Sequence, residues 1–161
     1  MMRARALAIL ALAGLLAGCG FRPLYGTSAQ GGPAIGPVVI DTIQGKSGHA
    51  LKTELDQLLG LERGSGPVKR LSIKLSESYG LVGLRVDEAS SRADLRLSAS
   101  YVLFDDAGKE VLRGNADSVA SYEVPSSSYG EIAAQNDARE RAAELLAERI
   151  RAELGLRLAR R

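Results

Sequence analysis

A chain of 161 residues, 45% hydrophobic and 25% charged, has the composition of an ordinary globular protein and excludes a fibrous, disordered or many-span membrane protein. The formal charge of +2 counts Arg3 and Arg5, which lie in a segment read below as removed; the remainder carries 19 basic and 19 acidic residues, without the excess that gripping nucleic acid requires. One cysteine excludes an internal disulfide, and one histidine with no tryptophan leaves few groups for catalysis.

The first segment concerns export. Met1-Met2-Arg3-Ala4-Arg5 is a short cationic start and Ala6 to Leu16 an apolar run, the two parts of a secretory signal and too short for a permanent membrane span. Leu16-Ala17-Gly18-Cys19 is similar to the lipobox of bacterial lipoproteins. Small residues let an extended chain enter the signal peptidase, and the Cys19 sulfur carries diacylglycerol. Several acyl chains on one residue bury enough methylenes, at about 0.8 kcal/mol each, to hold a protein on a bilayer. Gly20 stands where an Asp would resemble an inner-membrane retention signal, which points to the periplasmic side of the outer membrane. The expected organisation is a signal peptide over residues 1–18, a lipidated N-terminus and flexible tether over 19–37, and one domain over 38–161. No cofactor is expected besides the covalent lipid on Cys19.

Val38-Val39-Ile40 is a short β-branched run and reads as the first strand. Ser47 is placed to cap a helix in which Leu51, Leu55, Leu58 and Leu59 share a face, with Gly60 or Gly64 ending it. Leu71, Ile73 and Leu75 alternate with Ser72, Lys74 and Ser76, the pattern of a strand with one buried face. Leu81, Leu84 and Val86 would continue it through a bulge at Gly80 or Gly83, with a turn over Asp87 to Ser91. Leu95, Leu97, Ala99, Tyr101 and Leu103 repeat the alternation. The turn composition Asp105-Asp106-Ala107-Gly108-Lys109 leads to Val111-Leu112 and then to Val119 to Val124.

Ser128-Tyr129-Gly130-Glu131 has the form of a capping box opening a long helix, with an apolar stripe of Ala134, Ala138, Ala142, Leu145, Leu146, Ile150, Leu154 and Leu158. Asp137/Arg141 and Glu153/Arg157 are four-residue ion pairs on its wet face. The expected architecture is α+β: a two-layer sandwich with a mostly antiparallel four-stranded sheet and two helices on one face.

Candidate chemistry is sparse. His49 lacks the convergent donors of a metal site, and Ser126-Ser127-Ser128 stands outside a nucleophile-elbow context and is explained by the start of a helix. Glu77, Asp87 and Glu88 lack the apolar surroundings that would raise a carboxyl pKa. Tyr79, Tyr101, Tyr122 and Tyr129 suit either a partner contact or the core. Neither catalytic nor metal-binding residues are assigned, so the chain reads as a non-enzyme.

The segment Cys19-Gly20-Phe21-Arg22-Pro23-Leu24-Tyr25-Gly26 resembles the mature start of the lipopolysaccharide-assembly lipoprotein LptE family of alphaproteobacterial type. Ser91-Arg92-Ala93-Asp94-Leu95, Tyr101-Val102-Leu103-Phe104, the turn at Gly108, Ala120-Ser121-Tyr122 and the Ala/Arg/Glu-rich last helix resemble it in the same order. The resemblance implies four strands with two helices, seated as a plug in the outer-membrane β-barrel LptD, and a part in passing lipopolysaccharide to the outer leaflet. It also implies lipopolysaccharide contacts near the hairpin of the second and third strands, where Arg85 and Arg92 fall, and near the start of the last helix. There this chain carries Gln135 where some relatives carry a base. Other readings of the same features are a different outer-membrane adaptor or scaffold of the cell envelope, and a lipid-anchored hydrolase or its inhibitor, which would need a nucleophile beside a base.

Overall fold

The computed structural model describes residues 35–60, 66–82 and 91–160. Ile35 is already in the core, and the Lys69 ammonium donates to its carbonyl at 3.0 Å, so ordered packing starts inside the stretch expected as tether. Strand β1 (Val38–Ile40) pairs in parallel with β2 (Lys69–Val82), and helix α1 (Lys46–Gly60) makes the crossover between them. Parallel neighbours need such a connection, whereas β2, β3 (Ser91–Phe104) and β4 (Glu110–Val124) form an antiparallel meander. The sheet order is β1-β2-β3-β4, and α2 (Ser128–Leu158) returns along it. The fold is α+β with a mostly antiparallel sheet, as the pattern of elements predicts.

The period of two sets the layers. Leu71 and Ile73 on β2, Ala93 to Leu103 in alternate positions on β3, and Leu112, Ala120 and Tyr122 on β4 turn toward the helices and are buried. Leu51, Leu55 and Leu59 of α1 meet them from above, together with Ala138, Ala142, Ala143, Leu146, Ala147, Ile150 and Leu154 of α2. The opposite sheet face carries Lys74, Arg96, Ser100, Arg113, Asn115 and Asp117, all exposed.

Several local expectations are corrected. Ser47 does not cap α1: it sits inside the first turn, 3% exposed, and its hydroxyl is turned to Glu77. The cap of α2 is Ser127, not Ser128; its side chain accepts the Gly130 amide at 3.2 Å, and Glu131 binds Gln135 instead of closing a box. No bulge interrupts β2 through Gly80, since its register with β3 is constant from Arg70 to Val82; the irregularity lies at Leu103/Phe104, beside the tight turn held by Asp105. Gly83, Leu84, Val86 and the turn expected from Asp87 lie outside the described residues, and Ser91 opens β3. Leu145 is 46% exposed, and Ala143 and Ala147 take the inward positions, because small side chains let α2 lie close to the sheet.

The two short pieces expected around 111–112 and 119–124 are one strand. Gly114 leaves room for the ring of Tyr101, its partner across the ladder, and the buried Ser118 hydroxyl donates to the Ala142 carbonyl at 2.7 Å. These residues have little strand preference of their own; packing puts them there.

β4 is an outer strand, and three of its outward carbonyls are covered. Arg141, Arg149 and Arg157, eight residues apart on α2, donate to the carbonyls of Ser121, Asp117 and Arg113 at 3.0, 2.6 and 2.7 Å. Two of these arginines keep the predicted pairs with Asp137 and Glu153. The pairs therefore lie on the seam between helix and sheet edge rather than on an open helix face.

Candidate functional site at the hairpin end

β2 is the strand on which the site is built, and its alternation breaks at one residue. After Leu71, Ile73 and Leu75, the next helix-facing position is Glu77, whose carboxylate gathers donors from three elements. Ser47 of α1 and Tyr79 of β2 donate hydrogen bonds to it through their hydroxyls, and the Arg139 Nε of α2 donates at 3.0 Å. Arg139 also donates to Tyr79 and to Asn136 Oδ1, the latter at 2.7 Å, and its guanidinium stands 5.8 Å from the Tyr79 ring centre. The Glu77 and Arg139 side chains are 25% and 17% exposed.

Burial pushes the Glu77 carboxyl up, but the hydrogen bonds from Ser47, Tyr79 and Arg139, with the guanidinium charge, outweigh it and hold the group below the ordinary glutamate value. Burial raises the Tyr79 phenol, helped by the neighbouring carboxylate and opposed by Arg139. An ionised carboxylate saturated with donors is a poor base. The cluster is a clasp that fixes β2, α1 and α2 at one level of the sheet. Its only signal in the sequence is a charge where the apolar alternation calls for a hydrophobic residue.

Beyond that level the surface changes. Tyr79 and Leu81 on β2, and Tyr129 and Ile132 at the start of α2, are 47, 71, 86 and 57% exposed. Of the four tyrosines considered as contacts, Tyr101 and Tyr122 are core residues, and only Tyr79 and Tyr129 are at the surface. Tyr101 hydrogen-bonds Glu153, and burial followed by that acceptor drives its pKa far up.

Arg92 lies at the same end, exposed on β3, opposite Val82 on one side and Glu123 on the other. Its neighbour Ala93 is buried beneath the helices, so Arg92 projects from the other face of the sheet. The structure thus brings Arg92 to the end where α2 begins but not to the same face. Gln135 is half-buried in α2 and donates to Glu131 at 3.1 Å. Cys19 and Arg85 lie outside the described residues. His49 is exposed on α1, and Ser126 to Ser128 are exposed at the head of α2, on a different element.

With this geometry, the chain is similar to lipoproteins of solved structure. One, described as a lipoprotein of Caulobacter crescentus CB15, is 29% identical, with a TM-score of 0.60 over 80% of this chain and 93% of its own. A minor lipoprotein of Acinetobacter baumannii shares the fold at 15% identity, with a TM-score of 0.60 over 75% of this chain and 91% of its own. The rare lipoprotein B of Shewanella oneidensis aligns at 14% identity and a TM-score of 0.44, over 75% of this chain and 97% of its own. The first two place the fold among lipoproteins. No protein-family model and no curated protein matches the chain.

Proposed function

We propose that this chain is an outer-membrane lipoprotein of the lipopolysaccharide-transport machinery, a non-enzymatic plug and assembly factor for the LptD β-barrel. The observation that carries the reading is Leu16-Ala17-Gly18-Cys19 standing ahead of a domain with a lipoprotein fold and 29% identity to the Caulobacter protein. Lipid on Cys19 holds the domain at the periplasmic surface of the membrane, where its work is done through contacts with neighbours. The resemblance of Cys19 to Gly26 to the LptE family supports the LptD barrel as that neighbour. The donor-saturated Glu77 supports a binding role over an enzymatic one, because it offers a fixed scaffold and no free base.

Lipopolysaccharide is the second proposed ligand, through its phosphates, with Arg85 and Arg92 as donors; a guanidinium presents paired N–H groups to such an anion. The test is purification of the tagged full-length protein from gently solubilised native membranes, with its companions identified by mass. A large β-barrel at matching stoichiometry is the expected companion, and isolation of a clean monomer would overturn the reading. Depletion separates it from a general envelope adaptor: surface lipopolysaccharide is lost while other barrels assemble normally.

A further inference from the structure

The two edges of the sheet are treated differently. On β4 three arginines occupy outward carbonyls, a device that blocks strand addition. At the other edge β1 covers β2 only at Lys69, Arg70 and Leu71. The Lys69 amide donates to the Pro37 carbonyl and the Leu71 carbonyl accepts from Asp41, so odd-numbered residues of β2 direct their backbone groups away from β3. The register with β3 is unbroken to Val82, and the same orientation therefore carries on to Glu77, Tyr79 and Leu81. Among the described residues, no hydrogen bond occupies these outward amides and carbonyls. Ser76 and Ser78 to Leu81 are exposed, and at Glu77 the residue is exposed although its side chain is drawn into the clasp.

We propose that this outer half of β2 is a docking edge, to which an extended segment of the barrel partner adds as a further strand; the inference rests on the proposed partnership with a barrel. Three consecutive outward amide–carbonyl sets define a ladder that only an extended backbone satisfies. The side chains beside it state the pattern the segment must carry. On the helix side it meets Tyr79 and Leu81, and on the other it meets Ser76, Ser78 and Gly80, so its residues alternate apolar and polar. The Glu77 clasp holds this half of β2 in position ahead of binding, which lowers the ordering cost of adding a strand.

The test uses tagged full-length protein in native membranes, with a photoreactive benzophenone amino acid at Ser78 or, on the guarded edge, at Glu123. The expected result is a covalent adduct with the barrel from position 78 and none from 123. Leu81→Pro deletes one outward amide at a position where an edge strand tolerates proline, and should cut the adduct by about tenfold at an unchanged melting temperature; Leu81→Val should leave it within about twofold. A barrel that co-purifies without an adduct at 78, or with one insensitive to Leu81→Pro, overturns the docking edge and leaves the partnership standing. An adduct between two copies of this chain also overturns it. If no barrel co-purifies, the partnership falls and the docking edge with it.

Discussion

Gly114 and Tyr101 face each other across the β3–β4 ladder so closely that a Cβ on Gly114 would stand 2.4 Å from the Tyr101 hydroxyl oxygen and 2.5 Å from the ring carbon that bears it. The ring has nowhere to go: it is 1% exposed, and its hydroxyl is bound to Glu153 of α2. Gly114→Ala should therefore lower stability by about 1–3 kcal/mol, the usual cost of overfilling a core. Chemical denaturation measures the loss. A Tyr101→Phe background relieves the conflict with the hydroxyl but keeps the ring carbon at 2.5 Å, so the same substitution should cost less there and still destabilise, and no loss in the wild-type background would show that the ring yields freely.

Glu77 predicts an acid limb to stability. Its folded-state pKa lies below the ordinary value of 4.5, where burial raises it but the three donors and the Arg139 charge prevail. A carboxyl depressed on folding stabilises the protein above its unfolded pKa, and that contribution drains away as pH falls through the folded value. Glu77→Gln should be less stable than the wild type at neutral pH, with the difference shrinking on acidification below about pH 4.5. Tyr101 predicts the alkaline counterpart: burial and Glu153 keep the phenol protonated in the folded state, so stability falls once the unfolded chain ionises above 10.0. Tyr101→Phe should flatten that limb. Denaturant midpoints across the pH range test both.

The arginine cover on β4 predicts an aggregation phenotype rather than a loss of fold. Each contact with a carbonyl is exposed and contributes about 1 kcal/mol or less, so a triple change of Arg141, Arg149 and Arg157 to Gln should leave a folded domain of reduced stability. Its outer strand would then be free to pair with another chain. Sedimentation at rising concentration should show association in the variant only. A monodisperse variant would mean that the guanidinium groups do not protect the edge.

Much of this architecture was legible because β2 and β3 obey a strict alternation from Leu71 to Leu75 and from Leu95 to Leu103. Burial of one sheet face writes itself into sequence at a period of two. The central part of β4 was not legible, since Gly114, Asn115, Asp117 and Ser118 answer to Tyr101 and Ala142, residues far away along the chain. The phase of α2 was blurred for a related reason: in an alanine-rich helix the inward face is set by how closely it lies on the sheet, and Leu145 points out while Ala143 and Ala147 point in. Glu77 was readable as a carboxylate without a raised pKa, but its partners Ser47 and Arg139 are 30 and 62 residues away and join it only in three dimensions. Of the ligand donors named from resemblance, Arg92 is placed at the hairpin end of the sheet.

Replacing the anchor separates folding from location. Ile35 is the first core residue described, and among the described residues the buried cluster extends from it to Leu154. Cys19→Ala should therefore melt at the same temperature as the wild type after detergent extraction. Without acyl chains, each methylene of which contributes about 0.8 kcal/mol on burial, it should leave the membrane fraction for the periplasm. Retention of the variant in washed membranes would show that protein contacts alone are enough to hold it.

Arg92 tests the glycolipid proposal with little risk to the fold, because its side chain is exposed and stands opposite Glu123 at the hairpin end. A charge-assisted hydrogen bond to a phosphate contributes about 1.5–3 kcal/mol, so Arg92→Gln should weaken binding of a phosphorylated lipid A headgroup by roughly tenfold or more. Arg92→Lys keeps the charge but loses the paired donors and should fall between the two. Removing one charge should also flatten the dependence of affinity on salt, while thermal unfolding stays within a few degrees of the wild type. Titration calorimetry at two ionic strengths measures these quantities together. Equal affinities for wild type and Arg92→Gln would remove this residue from the site and leave the phosphate contact to groups elsewhere in the chain.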